Sequence, residues 1–293
     1  MIDFVYGFIS AVCFGISNAY WKTAAKQIDY SYLLFYRGVL ACLLMLGFWV
    51  VLIGYESKHF LLNNSSASTT DYLLAFVLCL TCSLGLIFYL LSLRHQSVSL
   101  TIPLTSINIF NILTVVIILK EQFSLTYLIS FILALLGILF TLNYRFNIRF
   151  NSWNKGATYS LLASFFWGIT YPFFKFLSPK IGALPISLIL EFCVTIAALF
   201  WILNSNNKVA IIQQLRFSSL RHYLFLSLLL VGGTIFFNLA IQSLSLLSLS
   251  LLTNFQIVIA LLIGVVVYKE DFKKNQIIGI ILILTSISVS QIF

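Results

Sequence analysis

The stretch Phe14-Gly15-Ile16-Ser17-Asn18-Ala19-Tyr20-Trp21-Lys22 decides the fold, because a related stretch returns as Trp167-Gly168-Ile169-Thr170-Tyr171-Pro172-Phe173-Phe174-Lys175. The two copies lie 153 residues apart, since 168 − 15 = 153 and 175 − 22 = 153. Each copy carries glycine, a polar or aromatic residue and lysine at spacings i, i+3 and i+7, which share one face of a helix. A repeat at half the chain length predicts two equivalent sets of helices around a common cavity.

Composition indicates a membrane protein. The 293 residues are 61% hydrophobic and 9% charged, whereas a soluble domain carries roughly 25% charged residues. In a soluble chain the net charge of +9 would suggest nucleic acid, but basic residues that flank apolar spans are normally topology signals. We therefore expect the lipid bilayer and a small molecule as partners, and no nucleic acid.

Ten stretches of about 20 apolar residues are each long enough to cross the hydrocarbon core. They cover approximately 4–21, 31–53, 72–93, 98–119, 125–143, 155–176, 183–203, 222–243, 248–268 and 275–292. The predicted fold class is an all-α polytopic membrane protein with ten transmembrane helices. The first stretch is kept as a span, because cleaving it as a signal peptide would remove a helix that has a repeat partner.

The spans divide into two halves of five, residues 1–143 and 155–293, joined by a linker at 144–154. Lys120-Glu121-Gln122-Phe123 after span four matches Lys269-Glu270-Asp271-Phe272 after span nine (270 − 121 = 149). Five is an odd number, so the second half enters the membrane in the opposite sense. The prediction is two inverted five-helix repeats.

Several features together resemble the EamA-type members of the drug/metabolite transporter superfamily: the aromatic-Gly helix ending in Lys, an Arg early in the second span, and Glu after the fourth span. In that family the helix after Glu usually has Gly at about nine and sixteen residues. This chain has Ser130 and Gly137 after Glu121, and Gly279 and Ser286 after Glu270. The resemblance covers both halves and implies an alternating-access secondary transporter, exporting amino acids across a bacterial cytoplasmic (inner) membrane.

Four charged residues lie within or at the ends of spans: Lys22, Arg37, Lys175 and Glu191. A charge near the bilayer centre costs about 2.5–3.5 kcal/mol, so it must be paired, solvated or functional. Arg37 and Glu191 occupy the second helix of their respective halves, and pairing would offset their desolvation. Snorkelling to the interface is the alternative for Arg37 and the default for both lysines. Glu191 would bind either a coupling proton or the amine of a substrate.

The predicted substrate-binding set combines these charges with neutral polar and aromatic residues of the spans. It consists of Asn18, Lys22, Arg37, Tyr89, Tyr171, Lys175, Glu191, Asn238 and Gln256. Amides inside spans either contact substrate or hydrogen-bond neighbouring helices, and Asn108, Asn111 and Gln242 share this ambiguity. Pro172 is expected to loosen helix six near its middle.

The sequence contains no recognisable catalytic or metal-binding constellation. His59, His95 and His222 lack ligand spacing, and Cys79 and Cys82 form a CxxC without a second pair. We therefore expect no enzyme activity, metal or cofactor, with a membrane-embedded enzyme as the remote alternative. Transport would be coupled to protons or to a counter-substrate. Glu121 and Glu270 are interpreted as caps of the following helices.

Three questions stay open from the sequence. The first is the substrate: we predict an amino acid or related zwitterion, and the alternative is uptake or exchange of a larger charged metabolite, such as a nucleotide derivative or an amine. Helices five and ten serve either packing or contacts in a homodimer. The distribution of basic residues favours external termini, while the family resemblance leads us to expect cytoplasmic termini.

Overall fold

A computed structural model describes residues 2–53, 67–106, 124–142, 155–204, 217–269 and 274–290, and within these ranges all regular secondary structure is helical. The first repeat contributes α1 (Ile2–Ala24), α2 (Tyr30–Ile53), α3 (Thr69–His95), α4 (Val98–Thr105) and α5 (Leu125–Thr141). The second contributes α6 (Lys155–Ile181), α7 (Ala183–Asn204), α8 (Phe217–Ser243), α9 (Leu246–Thr253), α10 (Phe255–Tyr268) and α11 (Lys274–Ser290). Asn108, Asn111, Glu121 and Glu270 lie outside the described residues.

Most of the long described helices are apolar enough for a bilayer, although α6 is not among them. Six described segments are long and apolar enough to cross one: α1, α2, α3, α7, α8 and the combined stretch Leu246–Tyr268. The helices α5 and α11 are apolar but shorter. Large aliphatic side chains such as Val50 and Val266 are 71% and 75% exposed, which suits contact with lipid. The all-helical class is confirmed, and the count of ten spans stays a prediction.

Serine side chains begin several of these helices. Ser68 and Asp71 form a capping box at the start of α3, in which the Ser68 amide donates to Asp71 Oδ2 at 2.9 Å. Ser124 accepts from the amide of Tyr127 to cap α5, and Ser245 accepts from Ser248 to cap α9. These bonds satisfy amides that the first helical turn leaves without partners.

The two repeats interleave in space. The most extensive helix packing joins α1 to α8, α2 to α7, α3 to α6 and α5 to α11, and each of these pairs contains one helix from each repeat. Gly85 illustrates the contact between α3 and α6, because a Cβ there would lie 2.6 Å from Nε1 of Trp167. The centre of the molecule is therefore walled by both halves of the sequence.

The helix interruption falls at a different place from the one that the sequence suggests. The helix α6 runs from Lys155 to Ile181 without a break, although Pro172 lies inside it. The ninth predicted span is divided instead, because Asn254 ends α9 and begins α10. At this residue the backbone tightens, and the Asn254 amide donates to the carbonyl of Leu251 at 3.1 Å.

The crossing of α5 and α11 depends on two glycines. A Cβ on Gly137 would lie 2.8 Å from the carbonyl oxygen of Gly279, and a Cβ on Gly279 would lie 2.6 Å from the carbonyl oxygen of Gly137. Ser130 and Ser286 are fully buried on the same two helices. Small residues let backbones approach closely inside a membrane, where such contact replaces the hydrophobic driving force.

Replacing Gly137 by alanine should push α5 away from α11 and destabilise the protein by about 1–3 kcal/mol, the usual cost of overpacking. Thermal unfolding of the purified protein in detergent measures this loss. Gly47→Ala is the matched control, because nothing lies within 4 Å of a Cβ at Gly47. Equal melting temperatures for the two variants would contradict the close crossing.

Candidate functional site

A cavity of about 120 Å³ lies where the two repeats meet. Of the eleven helices that the structure describes, nine contribute to its wall, and α5 and α11 do not. Six of the predicted substrate-binding residues line it: Asn18, Arg37, Tyr171, Glu191, Asn238 and Gln256. The cavity combines polar groups with an aromatic wall, as sites for small molecules commonly do.

Arg37 and Glu191 form an ion pair across the cavity wall. Nη1 of Arg37 on α2 donates to Oε2 of Glu191 on α7, and the two side chains are 1% and 2% exposed. Packing of α2 on α7 places them together, and a Cβ on Gly38 would collide with the hydroxyl of Thr195, so these helices are in close contact. Each charge offsets part of the desolvation of the other.

A second polar group in the wall has an unused acceptor. The amide nitrogen of Asn238 donates to Ser187 Oγ and to the carbonyl of Thr234, both at 3.0 Å. Its Oδ1 atom is buried and has no hydrogen-bond partner among the described residues. Because both amide protons are used, the orientation of the side chain is set, and substrate contact through Oδ1 stays a prediction.

A hydrogen-bonded chain crosses the cavity from α1 to α4. Asn18 Nδ2 donates to Gln256 Oε1 at 3.2 Å, and Gln256 Nε2 donates to Ser106 Oγ at 3.1 Å. Gln256 follows the interruption at Asn254, so the break brings a polar side chain to the cavity. Tyr89 does not line the cavity; its hydroxyl donates to the carbonyl of Asn18 at 3.0 Å and supports α1 from behind.

The aromatic wall comes from α6 and α8. The rings of Trp167 and Tyr171 are stacked with centroids 6.4 Å apart, and Tyr171 lies 5.2 Å from Phe237. Between the stacked residues is Gly168, which also lines the cavity. Pro172 has no N–H group, so the Gly168 carbonyl lacks its i+4 helical donor. This proline thus leaves a backbone acceptor in the cavity wall without interrupting α6.

Neither repeated lysine lines the cavity. Lys175 Nζ donates to the carbonyl of Leu244 at 2.6 Å and to that of Gln242 at 3.4 Å, just where α8 ends. A cation there interacts favourably with the last carbonyls and with the helix dipole. Lys22 is half-buried near the end of α1 and makes no hydrogen bond or ion pair within the described part of the chain. Substrate contact by either lysine stays a prediction.

Several residues of the cavity wall were not predicted from the sequence. Phe14 and Thr234 precede Asn18 and Asn238 by four residues, so the helical i, i+4 spacing from a predicted residue could have found both. Thr105 and Thr253 carried no such signal, because their places depend on how α4 and α9 approach the centre. In the described ranges no group of three or more His, Cys, Asp or Glu side chains is arranged to hold a metal ion.

The fold and the cavity define a class, the polytopic helical membrane transporters, with a polar central site walled by two repeats. Comparison with protein families identifies the particular family. The sequence model of the EamA-like transporter family matches residues 1–143 and, a second time, residues 154–291. The chain belongs to this family, and the resemblance to EamA-type drug/metabolite transporters is confirmed. It is therefore a multi-pass integral membrane protein.

Solved structures share the architecture. The comparison found 28 matching chains, among them a crystal structure of a protein that is 12% identical in sequence, with a TM-score of 0.74 over 99% of this chain and 96% of that chain. At this identity the likeness shows the fold alone. None of the curated proteins matches the chain.

Removing one member of the Arg37–Glu191 pair should cost about 3–5 kcal/mol, because the partner charge is left buried and uncompensated. We expect Arg37→Gln and Glu191→Gln each to lower the unfolding temperature, and the double variant to lose less than the sum of the two. A double-mutant cycle on thermal unfolding measures the coupling.

Lys180→Gln serves as the control for that cycle. It removes an exposed ion pair, in which Lys180 Nζ lies 3.0 Å from Asp71 Oδ1, and exposed pairs contribute little. Single-variant losses that add without coupling, or that equal the loss in the control, would show that the buried pair is not a unit.

Proposed function

We propose that this transporter carries a small zwitterion, an amino acid or a close relative, and that it exports this substrate by alternating access. The observation that carries the proposal is the buried Arg37–Glu191 pair in the cavity wall. A carboxylate would approach the guanidinium, and an ammonium would approach Glu191. A zwitterion thus supplies a partner for each charge, so neither is left alone if the pair opens.

The neutral groups of the cavity support the same polarity. Asn238 Oδ1 is an acceptor without a donor, and the Gly168 carbonyl has lost its helical donor to Pro172. Both accept from an ammonium group, which carries three donors. Asn18 Nδ2 already donates a hydrogen bond to Gln256 Oε1 at 3.2 Å, so in this proposal the two amides form part of the cavity wall and do not bind the ammonium.

Size favours a small amino acid over the alternative substrates. The cavity encloses about 120 Å³, somewhat less than the roughly 150 Å³ of a cavity known to hold benzene. Uptake or exchange of a nucleotide derivative would require a much larger opening than this conformation has. A small amine would fit, but it would leave Arg37 without an anion when Glu191 turns to the substrate.

Alternating access needs contacts that close each end of the cavity in turn. At one end of α8, His222 Nδ1 and the hydroxyl of Tyr20 are 2.7 Å apart. At the opposite end of the same helix, Lys175 donates to the carbonyl of Leu244 and Ser178 Oγ donates to that of Asn238 at 2.9 Å. We propose that one set of bonds opens while the other holds, and that Glu191 carries the coupling proton when the substrate leaves it.

The setting of the transporter follows the same proposal. We place it in a bacterial cytoplasmic membrane. A reporter fused after Phe293 would show on which side of the membrane the termini lie. The helices α5 and α11 do not line the cavity, so they are free to pack the bundle or to form a homodimer. Chemistry on a bound substrate forms no part of the proposal, and a membrane-embedded enzyme remains the remote alternative.

Flux measurements on reconstituted vesicles test the substrate class. We expect flux of a small amino acid such as alanine, and a loss of about ten- to a hundredfold in Arg37→Gln and in Glu191→Gln, the range expected for a hydrogen bond to a charged group. Lys180→Gln should keep wild-type flux. Absence of flux for every amino acid, or unchanged flux in both cavity variants, overturns the assignment.

A pH gradient tests the coupling role of Glu191 separately. Wild-type alanine flux should accelerate when protons flow in the direction opposite to the substrate, and Glu191→Gln should lose this acceleration, because its amide binds no proton. Counterflow in preloaded vesicles without a gradient measures the remaining exchange. Equal acceleration in wild type and Glu191→Gln would assign coupling elsewhere.

A further inference from the structure

Two buried side-chain nitrogens that carry a hydrogen have no acceptor in the described part of the chain. They are Nε1 of Trp21 and Nε of Arg37. Trp21 is 0% exposed and Arg37 is 1% exposed, so bulk water does not reach either group. Buried donors in folded proteins are nearly always satisfied, and an exception calls for a physical account.

Both donors belong to one contact between α1 and α2. The guanidinium carbon of Arg37 lies over the Trp21 ring, 5.8 Å from its centre. Glu191 accepts from Nη1 of the same guanidinium, which leaves Nε without a partner. The guanidinium of Arg37 therefore donates a hydrogen bond from Nη1 but has no acceptor for Nε among the described residues.

This contact adjoins the cavity along one face of α1. Phe14, Asn18 and Trp21 follow the spacing i, i+4 and i+7, which places them on one side of a helix. Phe14 and Asn18 line the cavity, and so does Arg37 on α2, whereas Trp21 lies behind this lining and is fully buried. Trp21 therefore lies one turn beyond Asn18, on the same face and toward the carboxyl end of α1.

We propose that Trp21 Nε1 and Arg37 Nε form a carboxylate-binding subsite at the contact of α1 with α2. The inference rests on the proposed function and assigns the carboxylate half of the zwitterion to these two donors. A carboxylate has two oxygens that accept several hydrogen bonds, and bonds with a charged partner are the stronger kind. Trp21 is then a specificity-determining residue with a neutral side chain.

Charge balance explains why the ligand of this subsite also carries an ammonium. Arg37 and Glu191 together are neutral, so a carboxylate alone would add an uncompensated negative charge to a buried site. Asn238 Oδ1 offers an acceptor elsewhere in the cavity wall. A ligand with both groups uses the donors and the acceptors together, and it should bind better than either half alone.

Three small probes separate the two halves: alanine, ethylamine, which is alanine without its carboxylate, and acetate, which lacks the ammonium. Their dissociation constants are measured by ligand-dependent thermal stabilisation of the purified full-length protein. We expect Trp21→Phe to weaken alanine binding about ten- to a hundredfold while ethylamine binding stays within about twofold. Phenylalanine keeps an aromatic face for Arg37 and removes the N–H donor.

Arg37→Lys is the second variant. It keeps a positive charge for Glu191 and removes the Nε donor, so it should show the same selective loss, and it decides the question if Trp21→Phe does not fold. In the double variant the two losses should be less than additive, because both donors serve one carboxylate. Trp201→Phe is the control, since this ring lies against a different arginine, with Cζ of Arg94 5.2 Å from the ring centre.

Two results overturn the subsite: unchanged alanine binding in the variants, or equal weakening of alanine and ethylamine. If the wild type binds no alanine, the proposed zwitterion specificity has failed, and acetate then tests the subsite by itself. Stabilisation of the wild type by acetate, absent in Trp21→Phe, supports an anion subsite without that function. If the wild type responds to neither alanine nor acetate, the subsite is wrong.

Discussion

The buried contact of Arg37 with Glu191 is the interaction on which the cavity depends. Each charge lies at a depth where an unpaired ion would be expensive, and each is nearly inaccessible. The two residues come from opposite repeats, so the pair forms only when α2 and α7 pack together. One interaction therefore links assembly of the bundle to formation of a polar site.

Interleaving of the repeats makes that link possible. Each helix of the main pairs packs on a helix of the other half, so no wall of the cavity belongs to one repeat alone. The repeats are nevertheless unlike in detail, because Arg37 in one and Glu191 in the other carry opposite charges. The short helices α4 and α9, by contrast, are both eight residues long and end at matching places, Thr105 and Thr253. The helix arrangement therefore arises from the duplication, whereas the polar groups inside the cavity arise from residues that differ between the two copies.

Helix positions were predictable because bilayer thickness limits their length. The predicted span 31–53 became Tyr30–Ile53, and 183–203 became Ala183–Asn204. The pairing of Arg37 with Glu191 was also within reach, since both charges lie in matching apolar spans and need a partner. Their contact in the structure agrees with that expectation.

Other features depended on distant parts of the chain. The matched lysines of the opening repeat suggested a shared pocket role, yet Lys175 binds carbonyls at the end of α8, a helix more than forty residues later in the sequence. Trp21 stands beside Lys22 in that repeat, and nothing in its local sequence marks its N–H as unpaired. That property is visible only in the tertiary structure, where the Trp21 ring packs against the Arg37 guanidinium and its Nε1 has no acceptor in the described part of the chain.

By itself the sequence determined that this chain forms apolar helices in two related halves, because hydropathy and duplication act through local composition and length. It also determined that Arg37 and Glu191 need compensation, because a charge in an apolar span is costly wherever it lies. Only the tertiary structure decided which helices meet, how small the cavity is and which donors are left without acceptors. Those properties depend on packing between residues far apart in the chain, where an approach of a few ångströms makes or removes a hydrogen bond.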